Sequence, residues 1–307
     1  MFKMRIGYPC INLTIKNQSP STFRLKSYSE KRFNETVKNN LNHLLSILNF
    51  NKRNNIYFFR ISSDIIPFAS HPVCDVDWSE VFKVKLKEIG DFINKNNIRV
   101  SMHPDQFVIL NSKSEDIVKN SIRELQYHCK LLDSMRLSSS AKIQIHVGGV
   151  YGDKKKAKKD FANNFNKLLE ESLKRRLVVE NDDRSYSLQD CFDINSETDI
   201  PIVFDTFHHE CLNNDETFQQ ALSSFVKSWN NPTDGNPVID YSSQSIGDRK
   251  GKHAKTLDKN HFIYMYNEFR NTIKKTQIDL DIMLEIKDKE ESALLALKMI
   301  NSSYIFD

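Results

Sequence analysis

The chain carries 307 residues, 39% of them hydrophobic and 27% charged, with a formal net charge of +4. That is the composition of a water-soluble globular protein. It excludes a membrane-spanning class, because no apolar run approaches the ~20 residues a bilayer requires. The N-terminal MFKMRIGYPCINLTI has no long apolar segment with a small-residue cleavage site, so no secretory signal is read there. Five cysteines, odd in number, widely spaced and without a CxxC pair, favour reduced thiols in a cytoplasmic protein over a disulfide framework or zinc ribbon.

Short β-branched runs alternate with longer amphipathic stretches. Segment 4–11 reads as a strand, and 30–51 follows with Phe33, Val37, Leu41, Leu44, Leu45 and Leu48 at helical spacing. Strands are predicted next at 56–62, 99–104, 142–148, 177–182, 201–206, 237–243 and 281–287. The helices that follow them are expected near 78–96, 115–136, 155–174, 187–196, 215–229, 259–274 and 289–301. Runs such as LVVE and PIVF are continuously apolar, as befits strands buried on both faces. Eight sequential βα units with no linker predict a single (β/α)8 TIM barrel over residues 1–307, rather than an open doubly wound sheet. The long irregular stretches 12–28, 63–77 and 243–258 all follow strands and belong on the C-terminal face, where such barrels keep their active sites.

Chemistry collects at that rim. His103, His146, Glu180, Asp205, Asp240 and Glu285 stand at or just past the ends of strands 3 to 8. His208 and His209 follow Asp205, His253 lies in the loop after strand 7, and His71 in the loop after strand 2. Six of the nine histidines therefore fall in these segments, and the other three, His43, His128 and His261, fall in helices. Imidazoles mixed with carboxylates suit zinc, manganese or similar first-row ions. Glu180 and Asp205, on adjacent strands, are placed to bridge two ions, the arrangement that stabilises both oxygens of a phosphoryl displacement. His209 neighbours His208 and is expected to point elsewhere.

Three basic clusters stand out: 154–159 (KKKAKK), 174–176 (KRR) and 249–253 (RKGKH). The first two read as solvated faces. The third lies among loop residues near the candidate ligands, so Arg249, Lys250 and Lys252 are the expected phosphate contacts, on which binding would depend on salt.

The strings GYPC (7–10), IPFASHP (66–72), SMHPDQF (101–107), IHVGGVYGDK (145–154), VEND (179–182), FDTFHH (204–209) and LEIKDKE (284–290) resemble, in order and along nearly the whole chain, the UV damage endonucleases. The resemblance implies a barrel similar to that of endonuclease IV and two or three divalent ions, manganese above zinc, magnesium or cobalt. It implies incision of damaged double-stranded DNA immediately 5′ to pyrimidine dimers, 6-4 photoproducts or abasic sites, leaving a 3′-hydroxyl and a 5′-phosphate. Residue by residue, it assigns His103, His146 and Glu180 to one ion, Glu180, Asp205 and Glu285 to a second, and His208 and His253 to a third. It places His71 near the scissile phosphate, with His71 and Glu180 as the catalytic pair, and Tyr8, Asn12, Gln106 and Phe107 against the lesion.

Three positions depart from the family pattern. Some relatives have histidine where this chain has Asp240, which is expected still to ligate through oxygen. Some have a carboxylated lysine where it has Val238, which cannot ligate and leaves a two-ion site open. Relatives often have tyrosine where it has Phe107, which keeps the stacking ring without the hydroxyl. A dedicated abasic-site endonuclease, a metal-dependent sugar isomerase on the same fold and a catalytically inert damage-binding protein remain as alternatives.

Overall fold

The structure is a computed structural model that describes residues 4–15 and 21–303. Its eight strands are β1 (Met4–Pro9), β2 (Phe58–Ile61), β3 (Arg99–Met102), β4 (Lys142–His146), β5 (Leu177–Glu180), β6 (Ile202–Asp205), β7 (Val238–Tyr241) and β8 (Leu280–Leu284). All neighbours pair in parallel, and β8 returns to β1 through Met4↔Leu280 to Gly7↔Met283, which closes the barrel. The expected TIM barrel is the fold observed. Part of the expected 12–28 loop, residues 16–20, lies outside the described residues.

Local chemistry explains most helix boundaries. Ser29 caps α1 (Glu30–Arg53) by accepting from the Arg32 amide, and the stripe Phe33, Val37, Leu41, Leu44 and Leu48 is buried against the barrel. Asp153 caps α5 (Lys154–Leu168), and Ser187 with Asp190 forms a reciprocal capping box on α7 (Leu188–Thr198). Two expected helices are divided. The 78–96 segment breaks at Phe82 into α2 (Trp78–Val81) and α3 (Lys83–Lys95), and the 155–174 segment breaks at Leu169, so that α6 (Glu171–Lys174) is separate. Amphipathic spacing continues across both breaks, which is why periodicity alone does not find them. The remaining helices are α4 (Glu115–Ser134), α8 (Thr206–Cys211), α9 (Phe218–Phe225), α10 (Asn231–Asp234), α11 (Lys259–Thr276) and α12 (Glu290–Ser303).

The N-terminal end of the barrel is closed by paired charges. Asp281 accepts from Arg99 at 2.7 Å and from Arg5 at 3.1 Å. Lys142 donates to Asp234 at 2.6 Å and to the Arg175 carbonyl at 2.6 Å. The Arg99 guanidinium also lies over the rings of Phe58 and Trp229. Among the described residues, no helix is long and apolar enough to cross a membrane.

Candidate metal centre

Each predicted rim residue emerges from the strand end that its sequence position indicated. Glu180 closes β5, Asp205 closes β6 and caps α8 through the His208 amide at 2.7 Å, and Asp240 sits within β7. His146 ends β4, with Gly148 beyond it in a left-handed conformation (φ +110°) and pressed against Asn111. A Cβ there would stand 2.4 Å from the Asn111 amide oxygen, so this turn requires glycine.

Glu180 is the hub. One carboxylate oxygen stands 3.2 Å from His103 Nε2, 3.6 Å from His146 Nε2 and 2.6 Å from the Gln144 amide nitrogen. The other is 3.3 Å from His208 Nδ1, which lies 3.4 Å from Asp205 Oδ2. Three clusters of donor atoms result: His103–His146–Glu180, Glu180–Asp205–His208 and Asp205–Asp240–Glu285, each with its ligand atoms within 4.8 Å of one another. Glu180 joins the first to the second, and Asp205 the second to the third. His253 is held beside them by the antiparallel bridge Gln244↔His253, its ring 5.8 Å from that of His208 and 5.3 Å from Phe207.

The imidazoles are pre-oriented. His103 Nδ1 bonds the Pro104 carbonyl at 2.8 Å, His208 Nδ1 the Asn181 carbonyl at 3.0 Å, and His253 Nδ1 the Glu285 carbonyl at 2.9 Å. These bonds fix the ring planes; in His208 it is Nδ1 that also faces Glu180 and Asp205, and against the effect of burial those carboxylates raise the pKa of its imidazole to about 11. Charge is unbalanced as well. Burial, reinforced by Glu180, Glu285 and Asp240 and opposed by His208, pushes the Asp205 carboxyl well above the usual range. Glu180 goes the other way: burial would raise it, but His146, His103 and His208 hold it well below. Asp205 Oδ2 and His146 Nδ1 are buried without a hydrogen-bond partner. Orphaned donor atoms among crowded carboxylates fit bound divalent cations, which would relieve both conditions.

Sequence reasoning missed the residues beneath the rim. Arg60 on β2, 3% exposed, reaches Asp240, Glu285 and Gln144, and Gln144 on β4 bridges Glu180 and Asp240. Arg60 is the one polar residue of the strand FFRI, and Gln144 lies between two isoleucines in KIQIH. A charge in a strand buried on both faces needs an interior partner, and that was the available signal.

Other expected positions fall elsewhere. Tyr8 is fully buried: its hydroxyl donates to Asn51 at 2.7 Å and accepts from Asn12 at 2.8 Å. Asn12, 5% exposed, accepts the Thr14 and Ile15 amides, so the pair anchors the loop after β1. His71 is exposed and outside the three donor clusters; it lines a cavity of about 340 Å³ that adjoins the site at Asp105 and Phe107. Gln106 and Phe107 project at the mouth, Phe107 being 75% exposed. His209 turns away, as expected, against Phe204 and Phe218.

The basic clusters sort by pairing. Lys154, Lys156 and Lys158 on α5 are engaged by Asp190, Asp160 and Asp193. Arg176 is buried, not solvated as expected, where it binds Asp133 and the carbonyls of Leu137, Ser138 and Ala141. By contrast, Arg249, Lys252, Lys287 and Lys289 line a cavity of about 780 Å³ with His103, Phe107, His253 and Glu285. Arg249, Lys287 and Lys289 have no ion-pair partner among the described residues. Lys252 is shared with Asp248, and Lys250 turns to the Cys211 carbonyl.

A sequence profile describing the UV-endonuclease UvdE family matches residues 4–304. The chain belongs to this family. It is 44% identical over 300 residues to a UV DNA damage endonuclease of Clostridium perfringens, covering 97% of this chain and 70% of that protein. It is 33% identical to one from Bacillus cereus, covering 98% of each. The crystal structure of SacUVDE superposes with a TM-score of 0.92 at 43% identity, over 98% of this chain and 99% of that one. Endonuclease IV from Thermus thermophilus shares the barrel at 13% identity (TM-score 0.61, 97% and 99% coverage). So does a D-psicose 3-epimerase from Clostridium cellulolyticum at 12% identity (TM-score 0.52, 78% of each). These last two likenesses are of fold alone. With UvdE membership, the expected enzyme class, a DNA-cleaving hydrolase of DNA repair, stands.

Proposed function

We propose that this chain cuts double-stranded DNA immediately 5′ to UV photolesions, and at abasic sites, leaving a 3′-hydroxyl and a 5′-phosphate. It would act as a cytoplasmic, single-domain monomer on the chromosomal DNA. The observation that carries this reading is Glu180, where one buried carboxylate joins two donor clusters at a mouth fringed with unpaired cations. Divalent ions, manganese in first place with zinc, magnesium or cobalt as alternatives, supply an activated water and neutralise the phosphate when bound. His103, His146, Glu180, Asp205, His208, His253 and Glu285 would hold them.

The remaining roles belong to the chain itself. Gln144 fixes the Glu180 carboxylate through its 2.6 Å hydrogen bond. Arg249, Lys252, Lys287 and Lys289 hold flanking phosphates, and His71 contacts the backbone from the adjoining cavity. Damaged bases stack and pair poorly, so extruding them costs less than extruding intact ones, and Gln106 and Phe107 fill the vacated stack. The exposed Phe107 ring beside unpaired cations favours DNA over the small sugars of the epimerase reading.

The test is a Glu180→Gln variant on a photodamaged duplex with manganese. A drop in the nicking rate of ~10³-fold or more is expected, because the substitution removes a charge shared by two clusters. Nicking at the wild-type rate overturns the assignment. Parallel duplexes carrying a pyrimidine dimer or an abasic site separate this reading from a dedicated abasic-site enzyme.

A further inference from the structure

The third donor cluster, Asp205–Asp240–Glu285, has no histidine and is instead contacted by an arginine, Arg60, paired with Asp240 and Glu285. Arg60 Nη2 donates to both Asp240 oxygens, at 2.9 and 2.8 Å, and to the Gln144 side-chain oxygen at 2.9 Å. Its Nη1 reaches Glu285. Asp240 Oδ2 accepts a further bond from the Gln144 amide at 2.6 Å. Both oxygens of Asp240 are therefore engaged, whereas Asp205 Oδ2 has no hydrogen-bond partner. Val238 stands two residues before Asp240 on β7, on the same side of the strand, and brings no donor atom.

We infer that the Arg60 guanidinium is the resident cation of the third cluster. Asp240 is its counter-ion and not a metal ligand, and the centre holds two divalent ions, with Arg60 positioning Glu285 for them. This rests on the metal-site reading above and corrects the expectation that Asp240 ligates. Charge supports it: with all four carboxylates ionised and the histidines neutral around bound metal, Glu180, Asp205, Asp240 and Glu285 and the one guanidinium, which pairs with Asp240 and Glu285, carry a net charge of minus three. Two divalent ions and one bound phosphodiester bring that to zero, whereas three ions leave it at plus two. A guanidinium is suited to the place because it stays protonated and directs several donors at once to carboxylates.

The experiment is manganese titration of the metal-stripped full chain by equilibrium dialysis, with bound ion counted per chain. Wild type is expected to bind two equivalents, and Asp240→Asn two, with each Kd changed less than about threefold, since asparagine still accepts from Arg60. Arg60→Met frees Asp240 and Glu285, and a third equivalent then binds. A purely structural role for Arg60 would not raise the count. Three equivalents in wild type, loss of one in Asp240→Asn, or two in Arg60→Met each overturn the proposal while leaving the metal centre standing. No binding by wild type overturns both. Should a single variant fail to fold, the charge-neutral pair Arg60→Gln/Asp240→Asn keeps the test. It binds at least two equivalents if Asp240 is no ligand, and fewer than two counts against the proposal.

Discussion

Both ends of this barrel bury charge, and they do so in opposite ways. At the N-terminal end, Asp281 is shared by Arg99 and Arg5, and Lys142 is matched by Asp234. At the C-terminal end, four carboxylates crowd together while Arg60 pairs with only two of them, Asp240 and Glu285, and Asp205 keeps an oxygen without a hydrogen bond. A buried ion pair is tolerable when each charge meets its partner, whereas an excess of one sign is costly unless something of the other sign arrives. The first end is finished within the polypeptide, and the second is complete only with ligands.

The sharpest way to break this contrast is to neutralise one charge at each end. Asp205→Asn preserves the cap on α8, since asparagine also accepts the His208 amide, but removes the carboxyl whose ionised form burial and the neighbouring carboxylates disfavour. Metal-free Asp205→Asn protein is expected to melt at or above the wild-type temperature, while manganese raises its Tm less than it raises that of wild type and nicking falls by ~10³-fold or more. Calorimetry with and without manganese reads the first two effects. A variant that melts lower than metal-free wild type would mean that the mouth is no more strained than the opposite end.

Asp281→Asn should do the reverse. It leaves buried Arg99 and half-buried Arg5 facing each other without their shared anion, and burial already draws Arg99 below its ordinary value despite Asp281. Breaking such a pair from one side costs about 3–5 kcal/mol. Urea denaturation should show a lower midpoint, with manganese stoichiometry and nicking unchanged below the transition. Lost metal binding in a folded Asp281→Asn chain would show that the two ends are coupled through the barrel.

The same contrast explains what the sequence revealed. Rim residues such as His103, Glu180 and Asp205 were legible because strand ends can be located by apolar runs, and the C-terminal ends of parallel strands converge on one face. The partners of a residue inside the barrel were not, because Arg60 meets Asp240 across 180 positions of sequence, a distance that no local pattern encodes. Tyr8 shows the converse limit. It was expected against the lesion, but its direction depends on Asn51, which lies on α1. Helix periodicity likewise passed over Phe82, since a break in the backbone there leaves the apolar spacing intact.

The smallest effect concerns cations that are paired against cations that are not. On α5, the carboxylates of Asp190 and Asp193 already neutralise Lys158. At the mouth, Arg249, Lys287 and Lys289 keep their charge for whatever enters the cavity. A lysine that neutralises a phosphate releases a counterion, so removing it lowers the slope of log affinity against log salt by ~0.9. Lys287→Gln and Lys289→Gln are each expected to weaken duplex binding a few-fold and to reduce that slope by nearly one, independent of the lesion. Lys158→Gln should leave affinity and slope as they are, although it removes two ion pairs from the surface. Fluorescence anisotropy of an undamaged duplex at several salt concentrations measures all three variants. An equal loss of slope from Lys158 would mean that DNA tracks the paired face of α5, and that pairing within the chain does not decide which lysines bind it.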